Sequence, residues 1–147
     1  WAGSLSHNDL TSAGRAFMMQ VHQMEHELSG MYPQIAHGAG LSALWPSWAR
    51  YVCAAWPERF AQYAVRVWNL EMNFENPMET ALAGIQATED YFKSLGMPVN
   101  IRELGVEPEK LEEMAEKCTN YGKRTLPGIK EFGKQEMMEV YRLAMGE

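Results

Sequence analysis

The chain has 147 residues, 46% of them hydrophobic, and a formal net charge of -6; that length is enough for one domain with a core of its own. The acidic balance, with Lys and Arg scattered and never striped, argues against nucleic acid or an anionic membrane as partner. The longest apolar stretch, 41–56, is interrupted by Pro46 and Arg50 and is too broken to span a bilayer, and no signal peptide is visible.

Helical periodicity recurs along nearly the whole chain and alternating strand patterns do not, so the expected fold is all-α, with about six to eight helices. Ser4 or Ser6 is expected to cap a first helix running to about Ala13, where Gly14 separates it from a second over 15–30. On that second helix Phe17, Val21, Met24, Leu28 and Met31 form the apolar stripe, and Met18, His22, Glu25, His26 and Ser29 form an adjoining strip at the border of the core. A third helix over 36–55 is expected to kink at Pro46, because an interior proline removes a hydrogen bond and crowds the preceding turn. Trp45, Trp48 and Trp56 read as core or interface residues.

Pro57 suits the first turn of a fourth helix, whose inward side chains are expected to be Phe60, Ala64, Val67 and Trp68. Asn76-Pro77-Met78-Glu79 reads as a capping box opening a fifth helix with the stripe Met78, Leu82, Ile85, Phe92 and Leu95, ended by Gly96 and Pro98. A sixth helix begins at Pro108, buries Leu111, Met114, Ala115, Cys118 and Tyr121 and stops at Gly122. After the loop 123–133 a last helix occupies 134–145, with Met138, Tyr141 and Met145 inward. The eleven methionines fall mostly at core spacings and read as packing, and the charge run 107–116 as a solvated face. Cys53 and Cys118 lie within helical patterns and are expected to be reduced, packed thiols of a cytoplasmic protein. The start at Trp1, without methionine or a polar lead-in, reads like the interior of something longer.

The chemistry concentrates in 22–41, HQMEHELSGMYPQIAHGAGL, which holds three of the four histidines. His22 and His26, at i and i+4, leave one helix face a turn apart, and His37 opens the next helix beside Gly38 and Gly40, where backbone or ligand can approach closely. Three neutral imidazoles at this spacing suit zinc, nickel or ferrous iron. The His-Glu-x-x-His pattern of zinc peptidases is absent, because Gly30 follows His26-Glu27 where the second histidine would stand.

The blocks WAGSLSHNDL, HQMEHELSGMY, HGAGLSALWPSWARYV and YAVRVWN resemble the C-terminal helical domain of the iron-containing alcohol dehydrogenase family, in its butanol-dehydrogenase-like branch; YFKSLGMPVNIRELGV and VYRLAMGE extend the likeness to the end. The resemblance implies a dehydroquinate-synthase-like helical domain that holds a divalent metal. It also implies an N-terminal domain outside this chain that binds NADP or NAD, with NADP preferred. By motif, His22 and His37 are expected to be two of the metal ligands, and His26 the non-ligand histidine beside the nicotinamide, placed to relay the proton. The family's remaining ligands, an aspartate and a histidine, lie upstream of this segment, so the isolated chain is expected to be inactive. His22 and His37 are fifteen residues apart, one more than the family spacing, and the extra residue is assigned to the 31–36 loop. His7 is expected to be an ordinary polar residue near the cleft. The implied reaction interconverts small primary alcohols and aldehydes, in a homodimeric full-length enzyme. The competing reading is a free-standing helical module that binds a metal or a partner without catalysis.

Overall fold

The computed structural model describes residues 1–14 and 18–146, and within them the regular structure is helical. In chain order the elements are α1 (Ala2–His7), α2 (Gln20–Met31), α3 (His37–Cys53), α4 (Pro57–Trp68), α5 (Pro77–Ser94), α6 (Leu111–Cys118) and α7 (Lys134–Met145). Short 3-10 turns occupy Arg102–Leu104 and Pro108–Lys110, and an isolated antiparallel bridge joins Leu126 to Phe132. No described helix is long and apolar enough to cross a membrane.

α3 is the central element: α2, α5, α7 and one end of α4 pack against it, and Ala43, Leu44, Ala49 and Val52 are wholly buried along its length. It passes through the buried Pro46 as one helix, His37–Cys53, in line with the single helix expected from sequence. α6 packs against both α2 and α7, and α4 lies on α5. At that last contact Gly84 lies against Ala64; a methyl at Gly84 would come within 2.8 Å of the Ala64 Cα, so only glycine permits this approach. Met24, Met114, Met137 and Met145 are core residues, in line with the packing role read for the methionines.

Two buried polar side chains fix the geometry around α2. Gln20 at its start donates from Nε2 to the carbonyls of Leu126 (3.1 Å) and Lys130 (2.7 Å) and accepts from Trp48 Nε1 (2.9 Å). Further along, the Tyr141 hydroxyl donates to the Met24 carbonyl. α2 is thereby tied to the 126–130 loop, to α3 and to α7.

Several boundaries and faces differ from the sequence expectations. α1 ends at His7, because the Asn8 amide donates to the Ser4 carbonyl at 2.8 Å and Asp9 turns into the left-handed region at φ 64°; Ser4 and Ser6 lie inside the helix. α2 begins at Gln20, and the expected start at Arg15 and the stripe position Phe17 fall outside the described residues. Asn76 makes no side-chain cap. Asn73 instead orders the approach to the helix: its Oδ1 accepts from the backbone N–H groups of Glu75 and Asn76, just before α5, and its amide donates to Glu79 Oε2.

On α5 only Ile85 of the expected stripe is fully buried, and Leu82 and Leu95 are exposed. The inward face carries Thr80, Ala81, Gly84, Ile85 and Thr88. The threonines are admitted because their hydroxyls are bonded: Thr80 accepts from the Asn73 N–H, and Thr88 donates to the Gly84 carbonyl and accepts from Trp68 Nε1, each at 2.9 Å. Val67 is exposed, since α4 buries only the narrow strip Phe60, Ala61 and Ala64. Tyr121 is also exposed: α6 ends at Cys118, and Asn120, Tyr121 and Gly122 all take positive φ, which turns the ring out of the core. On α7 Met137 takes the core position, and Met138 is half-buried.

Candidate metal centre

α2 and α3 are joined by the short 32–36 connection, which places the start of α3 beside the middle of α2. Spacing on α2 sends His22 and His26 out on one side, and His37 is the first helical residue of α3. The ring centres of His22 and His37 lie 5.2 Å apart, those of His26 and His37 5.4 Å, and those of His22 and His26 6.4 Å. His7, from the turn at the end of α1, brings its ring to 5.9 Å from His22. All four histidines of the chain therefore gather at one place. Sequence spacing connected three of them; His7, expected from the family resemblance as an ordinary polar residue near the cleft, packs its ring against His22.

Two imidazoles that share a zinc-sized ion through nitrogens about 2.1 Å from it have ring centres about 5 Å apart, so the histidine pairs that include His37 fit a common cation. The protonation chemistry also fits. The His22 imidazole is held below its ordinary pKa, first by burial and then by the neighbouring His37, His7 and His26 rings, with Glu25 acting the other way. A ring kept neutral is the form that ligates.

The strip bordering the core holds a surprise at Glu25. Its side chain is entirely buried, and it hydrogen-bonds both to Ser29 Oγ and to His37 Nδ1. Glu25, His26 and His37 form the one group of three among the described residues whose potential ligand atoms all lie within 4.8 Å of one another. This group omits His22, whereas the ring distances favour it equally with His26. Both Glu25 oxygens already accept hydrogen bonds within the fold, from Ser29 and from His37. We therefore read the imidazoles as the cation-facing groups and Glu25 as the hydrogen-bond partner of one of them, His37.

Two hollows flank the cluster. One, of about 410 Å³, is walled by Val21, His22, Leu41, Trp45, Phe92 and Met97, among others. The other, of about 380 Å³, has His7, His22, Gln23, His26, Glu27 and Arg124 on its walls. His22 stands between an apolar hollow and a polar one, which is the arrangement a site needs to hold a small apolar molecule by one polar end.

The family model for the C-terminal part of the Fe-containing alcohol dehydrogenase family matches residues 10–145. The chain belongs to this family. It is 36% identical over 143 residues to the NADH-dependent butanol dehydrogenase A of Clostridium acetobutylicum, covering 97% of this chain and 36% of that one. It is 28% identical to an NADPH-dependent aldehyde reductase of Escherichia coli, over 83% of this chain and 31% of that protein. Among solved structures, the NADH-dependent butanol dehydrogenase A of Thermotoga maritima superposes with a TM-score of 0.85 at 28% identity, covering 98% of this chain and 37% of the other. The chain thus spans about a third of the length of these relatives. It corresponds to the C-terminal part of that family, and its described regular structure is helical.

Sequence spacing singled out His22, His26 and His37 in this member of the Fe-containing alcohol dehydrogenase family but gave Glu25 no role. The available signal was indirect: an acidic residue next to His26 on the core-bordering strip, with a serine one turn later, and a glycine three residues after His37.

Proposed function

We propose that this chain supplies the metal-binding part of an NAD(P)-dependent alcohol dehydrogenase that interconverts small primary alcohols and aldehydes. The observation that carries the reading is the convergence of His22 and His37 from two helices, 5.2 Å between ring centres, in a member of the Fe-containing alcohol dehydrogenase family. In this reading His22 and His37 hold a divalent cation, iron first and zinc or nickel as substitutes. The rest of its shell and the nucleotide-binding domain belong to a part of the protein outside these 147 residues, a division that the one-third coverage of the relatives supports. NADH is the first cofactor to test, ahead of the NADP expected from sequence, because the named butanol-dehydrogenase relatives are NADH-dependent.

When bound, the cation supplies Lewis acidity to the substrate oxygen and the nicotinamide supplies or accepts the hydride. The chain's own residues do the rest. The exposed His26 ring, one turn from His22, is placed to take up or release the proton that accompanies oxidation or reduction. Val21, Leu41, Trp45 and Phe92 hold the alkyl part of the substrate and exclude water from the polar end of the apolar hollow. The two buried, unpaired thiols support a reducing compartment, so we assign the protein to the cytoplasm; the homodimer proposed for the full length is carried over from the family resemblance alone.

The test follows NADH and NADPH oxidation with butyraldehyde in the presence of ferrous iron or zinc, using this polypeptide alone and then joined to an upstream nucleotide-binding portion. Turnover is expected only from the joined protein, and His22→Ala or His37→Ala should abolish it together with metal uptake. Turnover by the 147-residue chain alone would overturn the division of the site. Undiminished metal uptake by the double variant would overturn the ligand assignment.

A further inference from the structure

The buried Glu25 side chain has no part in the reaction as described above. A carboxyl group in the core is costly unless each oxygen is bonded, and here both are: Oε1 accepts from Ser29 Oγ and Oε2 from His37 Nδ1. The group also lies against the first turn of α3, where His37 and Gly40 stand, and the positive end of the helix dipole favours negative charge there.

Gly40 makes this placement possible. A Cβ at position 40 would come within 2.5 Å of Glu25 Oε1 and 2.7 Å of its Cγ, and no atom outside Glu25 is as close. The second glycine of His37-Gly38-Ala39-Gly40 thus makes room for a carboxyl group, whereas a Cβ at Gly38 would meet open space.

We propose that Glu25 is a positioning residue for the metal ligand His37. By accepting from Nδ1 it keeps the proton there, so that Nε2 is left bare, and it sets the plane of a ring that is otherwise half exposed, with 46% of its side-chain surface open. A neutral imidazole carries one proton on two nitrogens, and the partner of one nitrogen decides which is free to ligate. Gly40 is the second part of the device, and Ser29 holds the carboxyl group from its other side. The inference rests on the proposed ligand role of His37.

The test separates the two claims by reading His37 without metal and then with it. Long-range 15N–1H NMR on the metal-free chain should find His37 with Nδ1 protonated and Nε2 bare. Glu25→Gln keeps an acceptor oxygen and should retain that tautomer, whereas Glu25→Ala should release it. Cobalt(II) titration, followed by its visible absorption, should then show affinity falling about 10- to 100-fold in Glu25→Ala, with a smaller loss in Glu25→Gln. Gly40→Ala should mimic Glu25→Ala by displacing the carboxyl group, and should add little on top of it, because the collision is with Glu25 itself.

A His37 tautomer that is unchanged in Glu25→Ala overturns the proposal whatever the metal does. Cobalt uptake that needs His22 and His37 but ignores Glu25→Ala also overturns it, while the ligand assignment survives. No cobalt uptake by the unaltered chain, alone or joined to its upstream portion, overturns both. Thermal unfolding of each variant, with Glu25→Gln as the conservative member, distinguishes a repositioned ring from an unfolded one.

Discussion

The hydroxyl of Tyr141 on α7 donates a 2.9 Å hydrogen bond to the main-chain carbonyl of Met24 on α2, and both residues are wholly buried. The bond joins positions 117 residues apart and anchors the ligand-bearing helix one residue before Glu25. Tyr141→Phe keeps the ring and removes only this bond, so it should cost about 1 kcal/mol in urea denaturation. The loss should be visible as faster amide exchange in the middle of α2.

The α4–α5 contact depends on Gly84. Its missing side chain lets the Ala64 backbone approach, and a methyl there has no flexible neighbour to displace. Gly84→Ala should destabilise the chain by about 1–3 kcal/mol through overpacking. Leu82→Ala on the exposed side of the same helix should stay within about 0.5 kcal/mol. Urea midpoints of the two variants measure the difference directly.

Gln20 joins the start of α2 to the loop that carries Leu126 and Lys130 and to Trp48 on α3. Gln20→Ala leaves buried groups without partners and should cost about 1–3 kcal/mol. The Leu126 and Phe132 amides, which pair across the isolated bridge, should exchange faster in this variant than those in α5.

Burial pushes the Cys118 thiol up to about 11, with Glu27 adding to the effect against Arg124, and burial likewise raises Cys53. The phenol of Tyr141 is held well above its ordinary value, again first by burial. The folded chain therefore keeps protons that the unfolded chain releases. Their contribution to stability is complete below about pH 9 and is lost as pH rises toward 11, where Cys118 itself ionises. The melting temperature should fall steeply across that window. Neither thiol should react with iodoacetamide at neutral pH until the chain unfolds.

Helix number and order were legible because α2 to α7 each carry apolar residues at helical spacing. The last helix shows this best, running over Lys134–Met145 as expected. Faces were less legible than elements. Thr80 and Thr88 displaced Leu82 and Leu95 from the core of α5 because their hydroxyls find Asn73, Trp68 and a carbonyl there, partners that come from other elements or from the preceding turn. Tyr121 lost its expected place because three successive residues adopt positive φ, which hydrophobic spacing does not report.

By itself the sequence determined an all-α chain and singled out His22, His26 and His37, since these follow from periodicity and local spacing. Tertiary structure decided what surrounds those rings. His7 joins them from α1, and Glu25 turns inward to meet His37 across the α2–α3 contact, in space that Gly40 leaves open. A buried carboxyl group is tolerated only where donors from separate segments converge on it, and that convergence exists only after the helices have packed.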